Sequence, residues 1–323
     1  MTRLLVIGAG SIGSRHATNA KALGVQAIAV TDPDEARRSE LAASVGAQSF
    51  TTLTDALAWH PTAAVICTPP AAHVSTALAC ANHGCHLLIE KPLSATNAGI
   101  AELQAAIAER DLRAAVAYQL RFHPAVLRMR ELILGGSIGA LLSVQAEYGQ
   151  YLPAWRPSRD YRETYTAQAA LGGGILLDAS HEIDYVRWLA GEMTAVSASV
   201  AKLSDLEMDV EDTAALIVRF QSKTMGEFHL DCVQRGYSRR CVLIGSDATV
   251  RWDAMSGLTI TSATGATTHE ALVPQPNDTY VAELKAFLDG DVSRHASVAD
   301  GKRVVDIVRA ARESAAARRE IAV

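Results

Sequence analysis

The sequence predicts a two-part α/β protein. A doubly wound parallel sheet comes first, followed by an α/β part built on an open, mainly antiparallel sheet. Three observations carry this prediction. Short, continuous apolar runs in the first half, such as Leu4-Leu5-Val6-Ile7 and Ala63-Ala64-Val65-Ile66-Cys67, suit strands buried on both faces of a parallel sheet. Segments of helical character alternate with them. Later in the chain, strand-like segments follow one another without intervening helices, which implies antiparallel pairing. The 323 residues are enough for about two domains. The pattern changes near Phe122, so the expected domains are 1–122 and 123–323.

Composition excludes several classes. A net charge of −5 gives no general attraction to nucleic acid or to an anionic membrane. No apolar run approaches the length of a membrane span. The first residues run directly into a strand pattern, so no signal peptide is expected. The 5 cysteines are an odd number without framework spacing, which fits a reducing cytoplasm.

The first strand leads into Gly8-Ala9-Gly10-Ser11-Ile12-Gly13 and then a helical stretch. Glycines spaced in this way permit a tight turn, close approach of backbone to a pyrophosphate, and close helix packing. The strand before and the helix after supply the context that the short motif lacks alone. The next strand, Ala27-Ile28-Ala29-Val30, ends in Thr31-Asp32. Asp32 lies about 20 residues beyond the motif, where a carboxylate accepts hydrogen bonds from ribose hydroxyls. It would repel a 2′-phosphate, so NAD is expected rather than NADP. The alternative is that Asp32 only caps the helix at 34–45. A third strand stops at Thr68-Pro69-Pro70, a helix covers 73–83, and His86-Leu87-Leu88-Ile89 ends in Glu90-Lys91-Pro92. Ligands of doubly wound sheets bind beyond the carboxyl ends of the strands, which places Lys91 where a nicotinamide ring would lie. Cys80, His83, Cys85 and His86 crowd four potential metal ligands, but they span a helix end, a turn and a strand start, so no metal site is expected.

Beyond the strand at 115–118 come Arg121, His123 and a helix over 124–134. A strand at 141–150 leads into a loop rich in aromatics and arginine: Tyr151, Trp155, Arg156, Arg159, Tyr161, Arg162 and Tyr165. Gly172-Gly173-Gly174 then opens the stretch 172–188, read as one buried helix with Asp178, His181, Tyr185 and Trp188 on one side. Burying Asp and His together is costly unless each has a partner, so the pair is either structural or reactive. Strand segments follow near 195–203, 213–220, 225–231, 240–244, 249–252 and 258–261, and helices at 278–288 and 298–316 close the chain. One face of such a sheet must be covered, which predicts a homodimer or homotetramer through the C-terminal sheet.

The chain resembles the Gfo/Idh/MocA family, which includes glucose–fructose oxidoreductase and inositol dehydrogenases. The resemblance covers nearly the full length. It rests on the glycine motif at 8–13, Thr68-Pro69, Glu90-Lys91-Pro92, and Gly172-Gly173-Gly174 followed by Asp178, His181 and Asp184. It implies a Rossmann domain and a C-terminal domain whose open sheet makes oligomer contacts. It also implies NAD- or NADP-dependent oxidation or reduction of a sugar, cyclitol or related polyol, and a cis bond at Lys91-Pro92. Lys91 and His181 match the family's catalytic lysine and histidine, and Asp178 its aspartate. The family commonly spaces Asp and His four apart, whereas here they stand three apart. The expected cofactor contacts are Gly8, Gly10, Ser11, Ile12, Gly13, Asp32, Thr68, Pro69, His73, Glu90 and Lys91. The expected substrate contacts are Tyr118, Arg121, Tyr151, Trp155, Arg156, Arg162 and Tyr165. The loop resembles a branch associated with surface-glycan and nucleotide-sugar metabolism, and arginine forks suit carboxylates and phosphates, so an acidic or nucleotide-linked sugar is one expected substrate.

The chemistry agrees with the resemblance. Oxidising a secondary alcohol requires removal of the hydroxyl proton, which a histidine can take. A lysine ammonium stabilises the developing alkoxide, and a carboxylate orients the histidine. Two competing readings share the fold: a regulator that binds dinucleotide without turnover, and an enzyme that retains NAD through a closed redox cycle.

Overall fold

The computed structural model describes residues 2–157 and 159–323. The chain forms two compact units. One runs through Gln119 and adds Pro276–Lys302; the other comprises Leu120–Gln275 and Arg303–Val323. The sequence placed 276–302 with the second part, whereas this segment clusters with the first unit.

The first unit contains β1 (Arg3–Ile7), α1 (Ser11–Ala22), β2 (Ala27–Thr31), α2 (Glu35–Val45), β3 (Gln48–Phe50), α3 (Leu53–Ala58), β4 (Ala63–Ile66), α4 (His73–Asn82), β5 (His86–Glu90), α5 (Ile100–Glu109) and β6 (Ala114–Ala117). Its six strands form one parallel sheet in the order β3-β2-β1-β4-β5-β6. Leu4, Val6, Val30, Val65 and Leu88 are fully buried in it, which explains why the strands read as unbroken apolar runs. Asp34 caps α2 by accepting the N–H of Arg37, and Gly46 ends that helix in the left-handed conformation with φ 69°.

The second unit starts with α6 (Pro124–Leu134), where His123 is the cap and Pro124 takes the first helical position. It continues through β7 (Leu141–Gly149), a run of single 3₁₀ turns, α7 (Ile175–Asp178) and α8 (Ser180–Ala190). Then come β8 (Met193–Ala201), β9 (Thr213–Phe220), β10 (Met225–Asp231), β11 (Ser238–Gly245), β12 (Ala248–Asp253), β13 (Gly257–Ser262) and β14 (Thr267–Glu270). Helix α9 (Asp278–Asp289) lies in the segment that joins the first unit, and α10 (Val298–Ala317) precedes the closing β15 (Ile321–Ala322).

The nine-stranded sheet has the order β14-β13-β12-β11-β7-β10-β9-β8-β15. It is antiparallel except for β7 with β10, which pair in parallel. Helix α8 packs on β7. The opposite face is open, and a shallow groove there is lined by Gln145, Ser197, Ala215, Ile217, His229 and Val242. Alternation along β9 buries Leu216 and Val218 and leaves Ile217 46% exposed.

The stretch 172–188 is not one helix. It breaks at Ala179 into α7 and α8, so a single helical wheel does not relate Asp178 to His181. Among the described residues, no helix is long and apolar enough to cross a membrane.

Candidate active site

In a parallel sheet all carboxyl ends lie along one edge, and the residues there follow from strand order. Gly8, just past β1, turns the chain with φ 100°. A Cβ at Gly8 would lie 2.5 Å from the carbonyl oxygen of Cys67, and one at Gly13 would lie 1.8 Å from that of Gly8. Packing of α1 against β1 and β4 therefore requires both glycines. Gly10 differs, because a Cβ there meets nothing within 4 Å. Gly10 begins α1 without a side-chain cap, and the helix's first turn carries no acidic residue. The positive end of the helix dipole is thus left to an anion, with backbone open for close approach. Ser11 is exposed and Ile12 half-buried in that turn.

Asp32, directly after β2, is buried. Its Oδ2 accepts the Ala9 N–H at 2.7 Å and its Oδ1 the Asp34 N–H at 2.8 Å, tying β2 to the glycine turn. Asp34, not Asp32, caps α2, so the capping alternative for Asp32 fails. Arg37 lies 3.8 Å from Asp32 Oδ1 and 3.0 Å from Asp34 Oδ2. After β4, the Thr68 hydroxyl oxygen is buried with no hydrogen-bond partner among the described residues, while Pro69 is exposed. A buried hydroxyl without a partner, a glycine open to close approach and an uncapped helix start fit a bound dinucleotide.

After β5, the Lys91–Pro92 bond is cis, as the resemblance implies. Glu90 is buried and turned inward: Oε1 lies 2.7 Å from His16 Nε2, and Oε2 accepts the Lys91 N–H at 3.1 Å. His73 opens α4, and its ring is engaged by the carbonyls of Thr68 and Pro92. The side chains of Glu90 and His73 are thus held by the protein itself, whereas the sequence expected them at the cofactor.

In the second unit, the glycine run solves a packing problem. A Cβ at Gly173 would lie 2.2 Å from the Tyr165 carbonyl oxygen, and one at Gly174, with φ 103°, would lie 2.4 Å from Glu211 Oε1. The preceding loop therefore presses against the start of α7. That approach brings two hydroxyls to Asp178: Tyr165 donates to Oδ1 at 3.0 Å and Thr166 to Oδ2. Glu211 closes the N-terminal end of α7 through its carbonyl to Ile175 N–H, 3.1 Å, and is paired with Arg312 at 2.8 Å. His181 is the second residue of α8 and is 6% exposed.

Buried charge anchors α8. Glu182 pairs with Arg239 at 2.7 Å. Arg121 forks onto Asp184, Nε to Oδ2 at 2.8 Å and Nη2 to Oδ1 at 2.7 Å. Arg121 was expected to meet substrate, but it is 3% exposed and bound to Asp184. Tyr118, another expected substrate contact, is core at 1% exposure. Arg162 is exposed and paired with Asp160 at 2.6 Å and Glu207 at 3.0 Å, so its charge is already met. Tyr165 is drawn to Asp178. Trp155 donates its indole N–H to the Gln150 carbonyl at 2.7 Å, and Arg235 stacks on Tyr151 at 3.5 Å. Arg156 is exposed and, with Trp155 and Arg159, lines a small recess in the loop.

Sequence reasoning missed His16, Thr166, Glu182, Glu211 and Arg239. Each has its partner far away in sequence, except Thr166, whose position before the glycine run is the one available signal. Among the described residues no group of three or more His, Cys, Asp or Glu is arranged to hold a metal ion.

Comparison with known proteins agrees with this anatomy. The profile of an oxidoreductase family with an NAD-binding Rossmann fold matches residues 2–118. The GFO/IDH/MocA C-terminal domain matches residues 126–251. Myo-inositol 2-dehydrogenase of Thermotoga maritima is 28% identical, covering 99% of this chain and 98% of that protein. The structure of GenD2 from gentamicin A biosynthesis in complex with NAD is 26% identical with a TM-score of 0.84, covering 100% of this chain and 97% of that one. Levoglucosan dehydrogenase in complex with NADH shares the fold with a TM-score of 0.88 at 23% identity, covering 100% and 99% of the two chains. With both family profiles matched in order, on a glycine turn, a Glu-Lys-Pro strand end and a glycine-led Asp and His, the chain belongs to the Gfo/Idh/MocA family of oxidoreductases.

Proposed function

We propose that this protein is an NAD-dependent dehydrogenase acting on a secondary alcohol of a cyclitol or related sugar polyol. The observation that carries the reading is the edge of the parallel sheet, where the open Gly10 turn, Asp32, the partnerless Thr68 hydroxyl and Lys91 follow β1, β2, β4 and β5. The full-length likeness to myo-inositol 2-dehydrogenase supports the substrate class.

NAD, when bound, supplies the hydride acceptor. The chain's own residues handle the proton and the charge. His181 takes the hydroxyl proton. The Lys91 ammonium stabilises negative charge as it grows on that oxygen. Asp178, held by Tyr165 and Thr166, supports His181 from the end of α7. Asp32 favours NAD over NADP, because its carboxylate would meet a 2′-phosphate.

Two of the arginines that suggested an acidic substrate are satisfied internally: Arg121 by Asp184, Arg162 by Asp160 and Glu207. That favours a neutral polyol, with Arg156 as the remaining contact suited to an anionic group. The open sheet face, with Ile217 outward, supports a homo-oligomer through that sheet. The free thiols of all 5 cysteines support a cytoplasmic location.

The test is formation of reduced nicotinamide during incubation with NAD and a panel of cyclitols, neutral sugars and sugar acids. Turnover of a neutral polyol is expected. Lys91→Met and His181→Ala should each lower kcat by about 100-fold or more with NAD affinity nearly unchanged. Tight NAD binding without turnover of any substrate would instead favour the regulator.

A further inference from the structure

We propose that His73 is a positioning residue for Lys91: its ring staples the turn after β4 to the turn after β5 and so fixes the backbone that carries the lysine. This rests on the role given to Lys91 above. His73 is the first residue of α4 and is 1% exposed. Its Nε2 lies 2.7 Å from the Thr68 carbonyl oxygen and its Nδ1 lies 2.7 Å from the Pro92 carbonyl oxygen. One ring therefore spans two turns that follow adjacent parallel strands. Both nitrogens are used, so neither remains for a cofactor.

The opposite side of Lys91 is held in the same way. Glu90 accepts the Lys91 N–H at 3.1 Å and is itself anchored by His16 of α1 at 2.7 Å. Lys91 thus stands between a backbone N–H tied through Glu90 to α1 and a Pro92 carbonyl tied through His73 to α4. A lysine stem has four rotatable bonds, so its ammonium can be aimed only if its backbone does not move. The protonated ring donates to both carbonyls and the neutral ring to one of them, a bridge that leucine cannot make and that asparagine makes at one end only. Burial, with the Lys91 charge, pulls the ring toward its neutral form, and the two carbonyls and Glu90 oppose this.

The experiment uses the full chain with His73→Leu and His73→Asn. It measures kcat and KM on a polyol that the wild type turns over, NADH affinity by fluorescence titration, and amide hydrogen exchange across 66–72 and 89–94. We expect kcat to fall about 10- to 100-fold, with KM and NADH affinity within about twofold of wild type. Exchange should quicken in both turns and stay unchanged in β1, with His73→Asn intermediate because it keeps one contact. A cofactor contact would show the reverse, a loss of NADH affinity with kcat intact, and would overturn the proposal. So would unchanged kcat in a folded His73→Leu. If His73→Leu does not fold, His73→Asn decides by the same criteria. If the wild type turns over no polyol, the dehydrogenase reading fails while hydrogen exchange still judges the staple, and unchanged exchange at 89–94 overturns it.

Discussion

Arg121→Met separates a structural arginine from a substrate-binding one. The guanidinium donates two hydrogen bonds, at 2.8 and 2.7 Å, to an Asp184 carboxylate that is 1% exposed. It also lies 5.4 Å from the centre of the Trp188 ring, on which Arg130 stacks at 4.2 Å. Removing Arg121 leaves the Asp184 carboxylate buried without this cation. Breaking a buried pair from one side costs about 3–5 kcal/mol, which at about 2–4 °C per kcal/mol predicts a fall in melting temperature of about 6–20 °C. Adding Asp184→Leu removes the stranded charge and should recover most of the loss, since apolar replacement of a buried pair is often neutral. The assay is thermal denaturation by circular dichroism on the two single variants and the double variant, with KM for the preferred polyol beside it. The reasoning is refuted if Arg121→Met melts within about 2 °C of wild type while raising KM about tenfold, roughly the 1.4 kcal/mol of a charge-assisted contact.

Asp32→Ser should narrow the preference for NAD over NADP in equilibrium binding, and Arg37→Ala, by removing the cation 3.8 Å from Asp32, should widen it. Equal or tighter binding of NADP by the wild type would end this account. Burial, reinforced by the Arg239 charge, pushes His123 down to about 4, and its neutral Nδ1 accepts the Ala125 N–H at 3.2 Å. The unfolded chain binds that proton near pH 6.5, so this contribution is full above about 6.5 and lost as pH falls to about 4, about 3 kcal/mol in all; His123→Asn, which can cap without titrating, should flatten that slope in urea titrations. Arg162→Ala should leave KM for a neutral polyol unchanged, because its charge is met by Asp160 and Glu207. If instead a sugar acid is the substrate, Arg156→Ala should raise its KM about tenfold.

The parallel sheet was legible because β1, β2, β4 and β5 are buried on both faces, so they read as apolar runs, with Gly8, Asp32, Pro69 and Pro92 soon after their ends. Helix α6 was legible to the residue, since His123, Pro124 and Gly135 mark its ends. What escaped was short or held by partners distant in sequence. β3 spans 3 residues and β15 only 2, too few to show a period. The separate helices α7 and α8 read as one, because no Gly or Pro marks Ala179. The α9 segment joins the first unit, where Asn277 is hydrogen-bonded to Asn19, a pairing that no local pattern encodes.

The site divides along the same line. Gly8, Gly10, Gly13, Asp32, Thr68 and Lys91 were legible because strand order alone brings strand ends to one edge. The arginines of the second half were not, because an arginine that reaches outward and one that buries itself look alike until its carboxylate is located. Helix α8 shows what this hides. His181, Glu182 and Asp184 lie within a single turn of helix, and the sequence singles out His181 and Asp184 but not Glu182. In the fold, Glu182 is bound to Arg239 from β11 and Asp184 to Arg121 ahead of α6. Such pairs add little net stability, because desolvation offsets the attraction. They are directional, however, and they tie the turn just after His181 to β11 and to the segment ahead of α6. In the role proposed for His181, a general base acts only when its ring is held within a fraction of an ångström of the proton it takes. The two carboxylates that follow His181, each paired with an arginine distant in sequence, constrain the turn that carries it.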